Sequence, residues 1–285
     1  MAGQNVLLSS VDVNTPSPAR MYDYYLGGRN NFPVDREAAE KVLAVLPHCP
    51  KAARVHRKFM ARVVTCMAEN GIDQFIDLGA GIPTSPNVHE IARAVIPKAH
   101  VVYVDNDPTA TALSAQVIGP DDDGVVARLR DIRNTDELFD RPGLHDVIDF
   151  GRPVGVLMLS VLHFLTEADD PHAIVSTIKN RIAPGSFIAI SHAISDGTAP
   201  DMTAAIEGAY ARSMAPVVFR TEAEVHAFFA GLELMPPGLG EVSQWRRARA
   251  AGERRSGRNT ASSLRMFGGL GRKRPQAARR LWLAG

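Results

Sequence analysis

Cysteine is nearly absent from the chain: two in 285 residues, Cys49 and Cys66. Neither stands in a Cys-x-x-Cys pair or a Cys/His cluster, so neither a zinc site nor a disulfide framework is signalled, and a reduced, cytoplasmic setting fits. No apolar run approaches the roughly 18 residues that a membrane span requires. Met1 to Val13 carry no basic stretch followed by an apolar one, so no secretory leader is expected. Acids are scarce at one end only. Residues 246–285 hold 12 Lys/Arg against the single acid Glu253, a balance of +11, whereas residues 1–245 hold 20 against 30, a balance of −10. An acidic body therefore carries a basic tail, which leaves nucleic acid open as a partner through phosphate contacts of that tail alone.

What is present suits one sizeable core. Hydrophobic residues make up 45% and charged residues 22% of the chain, ordinary globular usage. Around Pro16 and Pro18 a helix can start, with Thr15 or Ser17 as N-cap, and run to Leu26 before Gly27-Gly28 stops it. A second helix follows Pro33, with Val34, Ala38, Val42, Leu43 and Leu46 at helical spacing, and Pro47 and Pro50 end it. A third spans about residues 52–69 with Val55, Phe59, Val63 and Met67 on one face. Its parallel stripe of Lys51, Arg54, Lys58 and Arg62 reads as a solvated face. Residues 1–14 read as disordered.

From Gly71 the rhythm changes. Short apolar runs at 75–78, 101–104, 125–129, 154–159 and 187–190 alternate with helical stretches. Such runs suit strands buried on both faces, and their alternation with helices predicts a doubly wound, mostly parallel α/β sheet. Residues 232–235 and 263–267 are weaker strand candidates that would close the sheet, and 246–262 reads as a flexible Arg-rich loop. The chain thus divides into an N-terminal helical extension, 1–70, and an α/β domain, 71–285, whose last segment, 246–285, is basic.

The sharpest motif is Asp77-Leu78-Gly79-Ala80-Gly81-Ile82-Pro83-Thr84, at the end of the first strand. Glycines there let the backbone approach a ligand at the carboxyl edge of the sheet; the plainer alternative is a tight turn. A dinucleotide site is disfavoured. Its third glycine is replaced by Thr84, Pro83 removes an N–H that would meet a pyrophosphate, and Asp77 would repel one. An acid in that place suits a cationic ligand, such as one bearing an ammonium and a sulfonium. Asp105 closes the second strand, 26 residues after Gly79, where an acid accepts hydrogen bonds from ribose hydroxyls. Asn106 and Asp107 either flank an adenine or cap the next helix. After the third strand, Arg130-Asp131-Ile132 offers either an acceptor for an adenine amino group or a helix cap. After the fourth come Ser160 and His163, at the switch-point edge. His163 is a candidate general base or substrate contact, with a structural role as the alternative, and His192 is a second histidine to weigh.

In this order, Asn14-Thr15-Pro16-Ser17-Pro18-Ala19-Arg20 and Tyr22-Asp23-Tyr24-Tyr25-Leu26-Gly27-Gly28 resemble the opening signature of an actinobacterial family. It is the S-adenosylmethionine-dependent methyltransferase family formerly catalogued as a domain of unknown function. Asn30-Asn31-Phe32, Asp35-Arg36-Glu37-Ala38, the glycine loop, Asn87-Val88-His89-Glu90, residues 102–108 and Val161-Leu162-His163-Phe164 continue the resemblance, over roughly 14–245. Phe267 to Lys273 resembles the family's closing strand and glycine turn.

The resemblance implies a class I methyltransferase fold, Rossmann-like, with seven strands, the last antiparallel, and a helical lid. By it, Asp77, Gly79 and Gly81 face the methionyl part of the cofactor, Asp105 the ribose and Asp131 the adenine. Ala80, Asn106, Ile132 and Ser160 complete the wall. Tyr22 beside Gly27 and Gly28 suits a lid that folds over the cofactor, or docking of that helix on the core. The expected activity is methylation of an O or N atom on a small molecule, with no metal. Methyl transfer from a sulfonium is an in-line displacement that asks chiefly for alignment, so the missing catalytic pair is no objection. A non-catalytic cofactor sensor and a nucleic-acid methyltransferase are the rivals. No Asn/Asp-Pro-Pro-Tyr tetrad follows the fourth strand, which counts against the second.

Overall fold

Proline sets most of the helix starts. The computed structural model describes residues 11–120, 122, 124–140, 143–246 and 264–274. In it Pro18, Pro33, Pro50, Pro108, Pro171 and Pro200 each stand in the first turn of a helix, where the missing N–H has no intrahelical partner to lose. Three helices come first: α1 (Pro18–Leu26), α2 (Pro33–Val45) and α3 (Cys49–Glu69). Pro50 therefore opens α3 rather than closing α2, and α3 starts three residues earlier than its apolar face suggests. Gly27 ends α1 in the left-handed conformation, φ 84°, its N–H bonded to the Tyr24 carbonyl.

The sheet follows: β1 (Gln74–Leu78), α4 (Val88–Arg93), β2 (His100–Asp105), α5 (Pro108–Ile118), β3 (Val125–Leu129), α6 (Thr135–Asp140), β4 (Gly155–Leu159), α7 (Pro171–Arg181), β5 (Phe187–Ile194), α8 (Pro200–Tyr210), α9 (Glu222–Ala227), β6 (Leu232–Leu234), β7 (Gly240–Glu241) and β8 (Arg265–Lys273). Strand order is β3-β2-β1-β4-β5-β8-β6. The first five are parallel, and β8 runs antiparallel to both β5 and β6. Seven strands were expected; the two-residue β7, paired with β8, makes an eighth. The order reverses between β1 and β4, and that is where a cleft opens at the carboxyl edge of such a sheet.

Side chains alternate across the sheet, as strand geometry requires. Phe75, Val101 and Tyr103 enter one core with Phe59, Val63 and Met67 of α3; Ile76, Val102 and Val104 enter the other with Ile174 and Ile178 of α7. A third cluster joins Met21 and Tyr25 of α1 and Val42 of α2 to Ile206 and Tyr210 of α8. The helical extension is thus packed on α8.

The closing strand corrects the expectation of a short strand at 263–267 followed by a glycine turn. Ser263 lies outside the described residues, and β8 runs through Gly268, Gly269 and Gly271 to Lys273. The reason is steric: a Cβ on Gly268 would lie 2.3 Å from the Ile190 carbonyl oxygen of β5, and one on Gly271 would lie 2.9 Å from Leu232 Cβ of β6. Glycine here lets a strand be clasped from both sides. The expectations for residues 1–10 and for most of the Arg-rich stretch fall outside the described residues. No helix among the described residues is long and apolar enough to cross a membrane.

Candidate active site

The turn after β1 is shaped by two glycines in the left-handed region, Gly79 at φ 74° and Gly81 at φ 67°. A Cβ on Gly79 would strike the Val161 side chain at 2.5 Å, so the loops after β1 and β4 touch only because glycine is there. The Gly79 and Ala80 amides both donate to the Val104 carbonyl, at 2.8 and 3.1 Å, and the Gly81 amide donates to Asp105 Oδ2 at 2.7 Å. From α3, Arg57 donates to the Thr84 carbonyl and, at 2.6 Å, to the Pro86 carbonyl, pinning the far side of the turn.

A cavity of about 240 Å³ lies between this edge and the N-terminal helices. Its wall includes Tyr22, Asp77, Gly79, Ala80, Gly81, Asp105, Asn106, Asp131, Ile132, Ser160 and His163. Gly27 and Gly28 are not in that wall. Gly27 caps α1, and the backbone of Gly28 lies against the Asp23 carboxylate so closely that a Cβ would fall 2.0 Å from Oδ1. Their sequence signature therefore marks the end of α1 rather than a cofactor contact.

Burial pushes the Asp77 carboxyl up to about 7, with Arg57 opposing and Asp105 adding to the rise. Among the described residues no donor hydrogen-bonds that carboxylate. Burial also pushes Asp105 up to about 6, against hydrogen bonds from the Asp107 and Gly81 amides. A buried acid, Asp77, beside a half-buried one, Asp105, at one cavity suits a cationic guest, which would supply the compensation that the protein leaves out at Asp77. Asp107 is turned away from that task. It caps α5 through the Thr109 amide at 2.7 Å and accepts from the Ser17 hydroxyl at the start of α1. Asp131 is gripped by Arg133 and lies 3.4 Å from the Asn106 amide nitrogen.

Ser160 is one of three described residues other than glycine with positive φ, 57°, directly after β4. Such strain persists where surrounding structure enforces it. Here the Ser160 amide donates to the Ser191 carbonyl at 3.2 Å and its hydroxyl lies 3.0 Å from His56 Nε2. His56 Nε2 is also 2.7 Å from the Ser191 hydroxyl, and its Nδ1 is 3.2 Å from the Tyr22 hydroxyl. Tyr22 has one proton and lies 3.1 Å from the Ala53 carbonyl. Donating there leaves Tyr22 to accept from His56 Nδ1–H, so Nε2 keeps its lone pair toward the two serines. Burial pulls His56 down to about 4, which keeps the ring neutral.

His163 is placed otherwise. Its Nδ1 accepts the Ala193 amide at 3.4 Å, so the ring proton sits on Nε2 and the lone pair faces the backbone. Burial holds its pKa well below the ordinary range, with His192, His56 and Arg220 adding to the drop. It lines the cavity but has no free lone pair for a base. His192 lies within β5, fully buried, with its Nε2 3.0 Å from Arg220 Nη1, and does not reach the cavity. His56 and Arg57 escaped the sequence reading because α3 was divided into an apolar and a solvated face. The available signal was a lone histidine three residues before Phe59 and seven before Val63, within the apolar stripe.

A family model described as S-adenosyl methyltransferase matches residues 4–274. The chain belongs to that family. Two solved structures cover nearly all of it. One is a protein of the former unknown-function family from Streptomyces avermitilis, 35% identical, TM-score 0.84, spanning 93% of this chain and 99% of its own. The other is a candidate methyltransferase from Thermobifida fusca, 30% identical, TM-score 0.85, spanning 93% of this chain and 97% of its own. The plantazolicin methyltransferase BamL shares the fold alone, at 11% identity and TM-score 0.52 over 90% of this chain and 96% of its own. No functionally curated protein matches the chain in sequence. This family member is a methyltransferase of the class I fold, and S-adenosylmethionine is its cofactor. The residues present fit such a molecule: no heavy atom lies within 4 Å of where a Cβ on Gly81 would stand, and the buried Asp77 carboxylate has no donor among the described residues, which suits a cationic group.

Proposed function

We propose that this methyltransferase methylates an oxygen or nitrogen atom of a small molecule, with Asp77, Gly79 and Gly81 holding the methionyl part of the cofactor, Asp105 the ribose and Asp131 the adenine. The observation that carries the reading is the continuity of one cavity, from the acids at the β1 and β2 ends to the Ser160–His56 pair at the β4 end. The cofactor supplies an activated methyl group. The protein aligns the acceptor, excludes water and receives a proton. For a hydroxyl acceptor, its O–C bond forms as the donor's S–C bond breaks, and the released proton passes through the Ser160 hydroxyl to His56 Nε2. A hydroxyl oxygen that gains a methyl becomes a strong acid, so even a histidine depressed to about 4 is basic enough to take its proton.

The helical extension, α1 to α3, acts as a lid whose Tyr22 closes the relay behind His56. The test is incubation with S-adenosylmethionine and a panel of neutral phenols and anilines, read by mass spectrometry for an added methyl group. Methylated product in one class identifies the acceptor atom. Tight cofactor binding with no methylated product in any class would instead favour a cofactor sensor.

A further inference from the structure

The charged residues in the cavity wall are confined to one end. Arg57, Asp77, Asp105, Asp107, Arg130, Asp131 and Arg133 all belong to the glycine-loop, β2 and β3 edge or to the arginine that pins it. The rest of the wall, between the N-terminal helices, α8 and the segment 214–219, has no formal charge. It is built of Leu46, Ile206, Val217 and Phe219, with Tyr25 and Tyr210 among them. Its remaining titratable groups stay neutral: burial pushes both tyrosines above their ordinary range and raises Cys49 to about 12. An ion placed there would lose its hydration with nothing to replace it.

Tyr22, His56 and Ser160 in the same wall are bonded to one another, and Ser17 is bonded to Asp107; on the side of α8 the polar feature is a pair of phenols. Tyr25 and Tyr210, both buried, meet hydroxyl to hydroxyl at 3.3 Å. Two hydroxyls bring two protons, and their mutual hydrogen bond uses one. Neither makes another hydrogen bond among the described residues, so one O–H is left to donate.

We propose that this chamber is the acceptor site, and that it takes an uncharged, mainly apolar molecule carrying a carbonyl or ether oxygen for the spare tyrosine proton. The proposal rests on the methyltransferase reading above and deepens it from an unspecified small molecule to a charge class with one placed hydrogen bond.

Three naphthalenes that differ only in their head group test it: 2-acetylnaphthalene, 2-naphthoate and 2-naphthylmethylammonium. Each is titrated by calorimetry into the full chain saturated with S-adenosylhomocysteine. The ketone should bind at least about tenfold more tightly than either ion. In the double variant Tyr25→Phe/Tyr210→Phe its affinity should fall by about fivefold, while 2-methylnaphthalene, which has no oxygen, binds as before. The phenylalanines keep the ring packing, and retained S-adenosylhomocysteine binding shows that the variant is folded.

Equal or tighter binding of either ion overturns the proposal, as does failure of the ketone to bind at its solubility limit. An unchanged ketone affinity in the double variant overturns the tyrosine assignment. Ketone binding with no S-adenosylhomocysteine binding overturns the cofactor reading and leaves the neutral chamber standing.

Discussion

Asp77→Asn should stabilise the cofactor-free protein at alkaline pH while destroying its affinity for cofactor. The folded-state carboxyl is raised from 3.8 to about 7, so between those values the folded protein holds a proton that the unfolded chain has released. Stability from the protonated form is present at low pH and is lost as pH rises through about 7. Above that, ionised Asp77 sits buried with Arg57 as its nearest opposing charge and Asp105 against it. A rise from 3.8 to about 7 corresponds to about 4 kcal/mol, the ceiling on what an uncharged isostere can recover. Recovery of half the ceiling would raise Tm by about 4 °C in a chain of this size.

The assay is calorimetric melting of wild type and variant at about pH 8 and about pH 5. The gain should be full at the higher pH and fall by more than half at the lower, where folded Asp77 is protonated and only the unfolded chain has released its proton; it is gone only below the unfolded value of 3.8. S-adenosylhomocysteine should no longer shift the variant's melting temperature, because the cation partner is gone. A variant no more stable than wild type at the higher pH, or equally stabilised at both, would refute the account of Asp77 as a charge held in waiting for a cationic ligand.

Two further outcomes follow from the geometry. His56→Gln should lower kcat about a hundredfold with a hydroxyl acceptor, with cofactor affinity unchanged, whereas His163→Gln should leave the pH profile of kcat as it is. Single-turnover methylation across pH separates them, and an altered profile in the His163 variant would restore that residue as the base. Arg20→Ala should cost about 3–5 kcal/mol, because it strips a buried carboxylate, Asp35, of the guanidinium 2.9 Å away and leaves Asp107 without its ion pair to α1, 3.6 Å long. Denaturant unfolding measures this, and a loss below about 1 kcal/mol, the worth of an exposed pair, would mean that the network is not buried in solution.

The parts of the fold that were legible in the sequence are those fixed locally. Strands β1 to β5 are apolar runs punctuated by glycine and proline, and the turn at Gly79 and Gly81 announces itself by residue type. The parts that were not legible depend on partners far along the chain. The glycines of β8 look like a turn until β5 and β6 are seen to press against them. Gly27 and Gly28 look like a ligand loop until Asp23 is found packed on Gly28. His163 and His192 stand out in the sequence, yet the Ala193 amide and Arg220 claim their lone pairs. His56 does not stand out, because nothing local says that Tyr22, Ser160 and Ser191 converge on it. The ion network of Arg20, Asp35 and Asp107 spans 87 positions and carries no local pattern at all.

The central claim is that the cavity at the β1 and β2 ends was built for a cationic adenosyl cofactor and not for a dinucleotide. Calorimetric titration of the full chain with S-adenosylmethionine, S-adenosylhomocysteine and NAD, alongside the Asp105→Ala variant, tests it most directly. The account predicts that the first two bind, that NAD does not, and that the variant loses both. Binding of NAD alone, or of none of the three, would contradict it.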